Sequence, residues 1–166
     1  MNLKSFIMCL ALFTTTAVFA QTEQTAHTHG LVEVEIAFEQ LNGVIQFNAP
    51  AESLLGFEHK PKTEKQKNQA QNVERAFANQ ASQIFQFEKN VKCQITLDKA
   101  GFEYTGSHAD FDALYKVKCK GDISKTKITV DLNKYKNIKS IRTTVISSGV
   151  QKAVKSTGPV ATVEIQ

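Results

Sequence analysis

The sequence has 166 residues, with 20 Lys+Arg against 16 Asp+Glu and a formal net charge of +4. Two of the cations are arginine and tryptophan is absent, which removes most of what a nucleic-acid interface uses, so no nucleic acid is expected as a partner. The length suits one domain with a real core, and no Pro/Gly/Ser-rich linker divides it.

The chain opens MNLKSFIMCLALFTTTAVFA, with one lysine, an uncharged apolar stretch from about Ser5 to Phe13, and small residues near Ala20. This is the layout of a secretory signal peptide. Residues 1–20 are expected to be removed after Ala20, leaving a flexible start over 21–26 and one domain over 27–166. The apolar stretch falls short of the roughly 20 residues that cross a bilayer, and no second one follows, so no membrane span is expected. Cys9 lies inside the stretch, not at its end, which argues against a lipoprotein. The mature chain would carry 19 Lys+Arg against 16 Asp+Glu. Residues 21–115 hold 8 bases and 13 acids, whereas 116–155 hold 11 and 2. Such a run reads first as a lysine-rich solvated face.

Val32, Val34, Ile36 and Phe38 alternate with polar residues, so the spacing predicts a first strand that begins at His27. Asn42-Gly43 predicts a tight turn into VIQFNA, pairing Phe38 with Phe47 and Ile36 with Ala49. Pro50 ends this hairpin. Thr63 with Gln66 resembles a capping box opening a helix to about Asn79, with Ala70, Val73 and Phe77 as its apolar stripe. Strands are expected near 92–97, 101–105, 109–119, 126–131, 140–147 and 159–165. Strand, strand, helix, then strands is the order of an α+β domain, mainly antiparallel sheet with one principal helix.

Cys93 and Cys119 remain after processing. Two cysteines in an oxidising compartment favour one disulfide. Both sit on core-facing parity: Cys93 with Ile95 and Leu97, Cys119 with Phe111, Tyr115 and Val117. Closing that loop would contribute roughly 3.5 kcal/mol on the chain-entropy model. The rival is a two-cysteine metal site, which lacks the close Cys pair of a zinc ribbon.

The mature chain has four histidines, His27, His29, His59 and His108. On a strand from His27, the pair His27 and His29 shares a face with Glu33 and Glu35. In SHADFD, His108 likewise shares a face with Asp110 and Asp112, away from Phe111. Imidazole nitrogen with carboxylate oxygen suits borderline ions, zinc first. A carboxylate can also orient a ligating imidazole from behind. Solvated surface histidines are the plainer reading. In GFEHKP, Phe57 fits a core plug, His59 a turn hydrogen bond, and Glu58 a capping or surface carboxylate. Gly30 and Gly56 read as backbone devices that tolerate unusual φ or close approach.

HTHG, PAESLLGFEHKP, Cys93 and HADFDALYKVKC together resemble the signature blocks of the ZrgA-like family of bacterial periplasmic proteins associated with zinc uptake. The resemblance runs from about 27 to 165. The matching positions are His27, His29, Gly30, Pro50, Gly56, Phe57, Glu58, His59, Pro61, His108, Asp110 and the two cysteines. It implies a periplasmic location, zinc as the bound ion, and support of a zinc ABC transporter or its binding protein. His27, His29 and His108 are then the expected ligands with His59 fourth; Glu33, Glu58, Asp110 and Asp112 are candidate ligand or supporting carboxylates. Many members carry a His/Asp-rich insertion, but residues 60–107 here contain no histidine, which points to a single site. Two other classes remain open. One is a metal-free adaptor docking through its lysine-rich half. The other is a zinc hydrolase, although no nucleophile elbow, HExxH helix or phosphate loop is present and no enzyme is expected.

Overall fold

Strand alternation and one amphipathic helix account for most of the architecture. The computed structural model describes residues 28–165. Strand β1 (Leu31–Glu39) and β2 (Asn42–Pro50) lead into helix α1 (Ala51–Leu55), helix α2 (Glu64–Asn79) and the single-turn α3 (Ala81–Ile84). Then come β3 (Phe85–Phe87), β4 (Gln94–Thr105), β5 (His108–Lys118), β6 (Lys127–Asp131), β7 (Ser140–Ser147), β8 (Val150–Thr157) and β9 (Val160–Glu164). A six-stranded sheet runs β4-β5-β2-β1-β7-β8, and a three-stranded sheet runs β3-β6-β9. Of the pairings only β1–β7 is parallel. The expected α+β class, mainly antiparallel, is what the chain adopts.

One face of the large sheet is buried under the helices and the small sheet. Val32, Val34, Ile36 and Phe38 supply it from β1, Ile45, Phe47 and Ala49 from β2, and Phe111, Ala113, Tyr115 and Val117 from β5. Phe77, fully buried on α2, lies 4.7 Å from the Phe47 ring and 4.6 Å from the Phe111 ring. The Tyr115 hydroxyl donates to the Phe77 carbonyl at 2.9 Å, so the same helix turn is held by an aromatic contact and a hydrogen bond. At its other end, Thr63 and Gln66 form the expected capping box. Ala70, Val73, Ala76 and Phe77 are the buried stripe of α2. Burial pushes the phenols of Tyr115 and Tyr135 up, Tyr135 to about 12.

The structure changes four readings. The first strand begins at Leu31, because Thr28 to Gly30 form a turn in which the Leu31 amide donates to the Thr28 carbonyl. The hairpin turn falls at Gln40-Leu41, not Asn42-Gly43, and the register pairs Val34 with Phe47, Ile36 with Ile45 and Phe38 with Gly43. Gly43 is needed for close approach: a Cβ there would stand 2.6 Å from the Phe38 ring. The register moved by an even number, so the buried face is unchanged. The expected strands near 92–97 and 101–105 are one strand, β4, with a bulge between Leu97 and Lys99 that switches its parity. Finally, α1, α3, β3 and β8 were not expected.

Cys93 and Cys119 form the disulfide, bridging the ends of β4 and β5 opposite their turn. The expected signal peptide, the cleavage point and the start over 21–26 lie outside the described residues, as does His27.

Replacing Phe77 by alanine removes the contact shared by helix and sheet. We expect urea unfolding to show a loss of about 3–5 kcal/mol. A loss below about 1 kcal/mol would place the main core contact elsewhere.

Candidate metal centre

Three segments distant in sequence converge at the end of the sheet where β1 begins. The first is the Thr28–Gly30 turn carrying His29. Gly30 adopts φ +82°, in the left-handed region. Its amide donates to the buried Ser53 hydroxyl at 3.1 Å, and its carbonyl accepts from the Lys139 and Ser140 amides at 2.8 and 3.0 Å. A Cβ on Gly30 would come within 2.8 Å of Lys139 Cγ. The turn is thus pinned to α1 on one side and to the start of β7 on the other.

The second segment is α1 with the loop after it. Pro50 precedes α1 and Gly56 closes it at φ +81°, the Pro-before, Gly-after pattern of a short helix. This places Glu52 on α1 and Glu58 two residues past Gly56. The third segment is the β4–β5 turn, where His108 opens β5 opposite Thr105.

Glu58 joins the segments. Its Oε1 lies 3.3 Å from His29 Nε2, and its Oε2 lies 2.9 Å from His108 Nδ1. His29 Nδ1 faces Glu52 Oε2 at 3.1 Å. Glu58 is only 17% exposed, against 53% for His29 and 62% for His108. A carboxylate this withdrawn from water requires donors or a cation.

The two ring nitrogens of His29 have different neighbours. Both its ring nitrogens face carboxylate oxygens, yet a neutral imidazole has one N–H. If Nδ1–H donates to Glu52, Nε2 keeps its lone pair and lies 3.3 Å from Glu58 Oε1, within ion-pair reach. A metal ion bound at that lone pair would lie beside the Glu58 carboxylate. Backing of one ring nitrogen by a carboxylate, with the other directed at a metal, is the usual support of a zinc-ligating histidine.

As they stand, the donors turn toward one another, and among the described residues no group of three or more His, Cys, Asp or Glu is arranged to hold an ion. The donor chemistry nevertheless fits zinc. Ligands at about 2.0–2.1 Å from a tetrahedral zinc ion stand about 3.3 Å apart. The His29–Glu58 separation has that size, and nitrogen with carboxylate oxygen is an accepted set.

The remaining candidates are placed as follows. His59 Nδ1 donates to the Lys60 carbonyl at 3.0 Å, and its ring stacks on Phe57 at 5.1 Å, leaving Nε2 as a lone pair. Glu33 is paired with Arg142 on β7, and His29 lies in the turn before β1, so the strand face expected for Glu33 with His29 is not formed; His27 lies outside the described residues. Asp112 accepts from Asn48 at 3.0 Å. Asp110 stands between Pro50 and Glu103 on the neighbouring strands. Glu52 was missed by sequence reasoning; the Pro50…Gly56 bracket around ESLL is the signal that marks its helix.

Residues 26–165 match the family described as "ZrgA family zinc uptake protein". No curated protein matches the chain.

The Gly30→Ala substitution forces a side chain into a left-handed position already filled by Lys139. We expect it to lower stability by about 1–3 kcal/mol in urea unfolding and to separate His29 from Glu58 in nuclear Overhauser spectra. Unchanged stability and an intact His29–Glu58 contact would mean that the turn is not pinned there.

Proposed function

The chain belongs to the ZrgA family of zinc uptake proteins, and from that premise we propose that it binds zinc in the periplasm through His29, Glu58 and His108. The observation that carries this reading is the mostly buried Glu58 carboxylate between two imidazoles, one of which is backed by a second carboxylate. Zinc would be held between His29 Nε2 and the Glu58 carboxylate, which lie 3.3 Å apart. It would break the Glu58–His29 and Glu58–His108 contacts and leave Glu52 holding Nδ1–H. His27 and His59 are the candidates for the fourth position, and His59 has its Nδ1 already committed to a backbone carbonyl.

The role is acquisition and hand-over, not catalysis. Zinc binds as cargo, and the receiving partner is a zinc ABC transporter or its binding protein. The signal-peptide layout expected of residues 1–20 and the Cys93–Cys119 bridge support that location. A protonated imidazole cannot coordinate, so zinc affinity in isothermal titration should fall on acidification.

Isothermal titration of untagged, chelator-stripped protein tests the assignment. His108→Ala and Glu58→Gln should each weaken zinc binding by at least about tenfold, and Glu52→Gln by roughly 10- to 100-fold as a supporting partner. Glu33→Gln, at the Arg142 pair, should leave it unchanged. Wild-type affinity in both His108→Ala and Glu58→Gln would reject the site.

A further inference from the structure

The end of β5 opposite His108 gathers positive charge. Lys116, Lys118 and Lys120 are exposed and alternate with the buried Val117 and Cys119. The disulfide adds Lys92 to them, since Lys92 precedes one half-cystine while Lys118 and Lys120 flank the other. The backbone is locked there as well. The Lys120 and Gly121 amides both donate to the Val91 carbonyl at 3.0 Å. A Cβ on Gly121 would stand 2.9 Å from Val91 Cα. Two lysine-bearing segments are therefore held side by side by a covalent bond and by close backbone packing.

Among the described residues, one of these lysines is in a salt bridge. Asp98 accepts from Lys116 Nζ at 2.8 Å; Lys92, Lys118 and Lys120 make no ion pair. A cleft of about 350 Å³ lies over the same strands. The register puts Lys118 between Asn42 and Gln94, with Lys116 beside Thr96. The Asn42, Gln94 and Thr96 side chains line the cleft with the two lysines. Amide N–H, hydroxyl and ammonium groups on adjacent strands can all donate to one ligand. Like charges fixed together repel, and an oxyanion between them reverses the sign of that term.

We propose that this cleft binds a multivalent oxyanion, a phosphate or pyrophosphate group, either free or presented by an anionic lipid headgroup. The site is separate from the histidine cluster. β5 runs from His108 to Lys118, a span of roughly 33 Å for its 11 residues. An anion held at the lysine end leaves the histidine end facing away from whatever surface presents it.

The test uses the full disulfide-bonded protein in ¹H–¹⁵N spectra at low ionic strength, titrated with inorganic pyrophosphate. Shifts should concentrate at Asn42, Gln94, Thr96, Lys116 and Lys118, and fade as salt is added. The Lys118→Ala/Lys120→Ala protein should bind about tenfold more weakly. The charge-matched Lys134→Ala/Lys155→Ala protein should bind like wild type. Flotation with phosphatidylglycerol-containing vesicles, against phosphatidylcholine alone, identifies the source: selective flotation lost in Lys118→Ala/Lys120→Ala assigns a lipid headgroup, and pyrophosphate binding without flotation assigns a soluble ligand. Absence of both, or equal weakening in the two charge-matched variants, overturns the proposal.

Discussion

Phe77 seated between Phe47 and Phe111 is the contact on which the arrangement rests. It fixes α2 over the sheet, and the Tyr115 hydroxyl bonded to the Phe77 carbonyl holds the same helix turn. With β2 ending at Pro50 and α2 starting at Glu64, the chain between them has 13 residues in which to return from sheet to helix. That short return carries both Glu52 and Glu58. The Gln69 side chain of α2 donates to the Leu55 carbonyl at 2.7 Å, and the Asn137 amide donates to the Glu52 carbonyl at 3.0 Å. The two carboxylates are positioned by the core, not by the histidines that meet them.

This division explains why the donors face one another in the chain as described. The frame is built from apolar burial and backbone hydrogen bonds, contacts that do not themselves require an ion. Small zinc domains that fold only on metal are built differently. Here Glu58 is hydrogen-bonded to His108 and lies beside His29, and on the proposed reading it would share both imidazoles with zinc. An exchange between hydrogen bonds and coordination bonds would suit the hand-over role proposed above. Among the described residues, the cluster around Glu58 accords with the absence of histidine from residues 60–107.

Sequence reasoning reached the fold class, the buried faces of β1, β2 and β5, the helix from its capping box, and the disulfide. These depend on local period or on a local turn, which the order of residues carries directly. It misread elements where local rules compete. Asn42-Gly43 has strong turn chemistry, but Phe38 lies over Gly43, and the chain turns two residues earlier. β4 was divided in two because its bulge switches apolar parity from Ile95 and Leu97 to Ala100 and Phe102. β8 was overlooked because it is an edge strand whose Val150 and Val154 are exposed or half-buried, so its pattern has little contrast. For the site, the four histidines were evident, but the strand parity of His27 and His29 was carried across Gly30, whose left-handed φ ends it. The meeting of His29, Glu58 and His108 depends on docking between residues up to 79 positions apart, and no local pattern encodes that.

The most direct test of the central claim follows the individual histidine nitrogens. Long-range ¹H–¹⁵N spectra of the ¹⁵N-histidine-labelled protein would be recorded before and after one equivalent of zinc. The account predicts coordination of His29 through Nε2, with Nδ1 remaining protonated against Glu52, and coordination of His108 through Nδ1. Unchanged nitrogen shifts at both residues, or zinc bound to His29 through Nδ1, would contradict it.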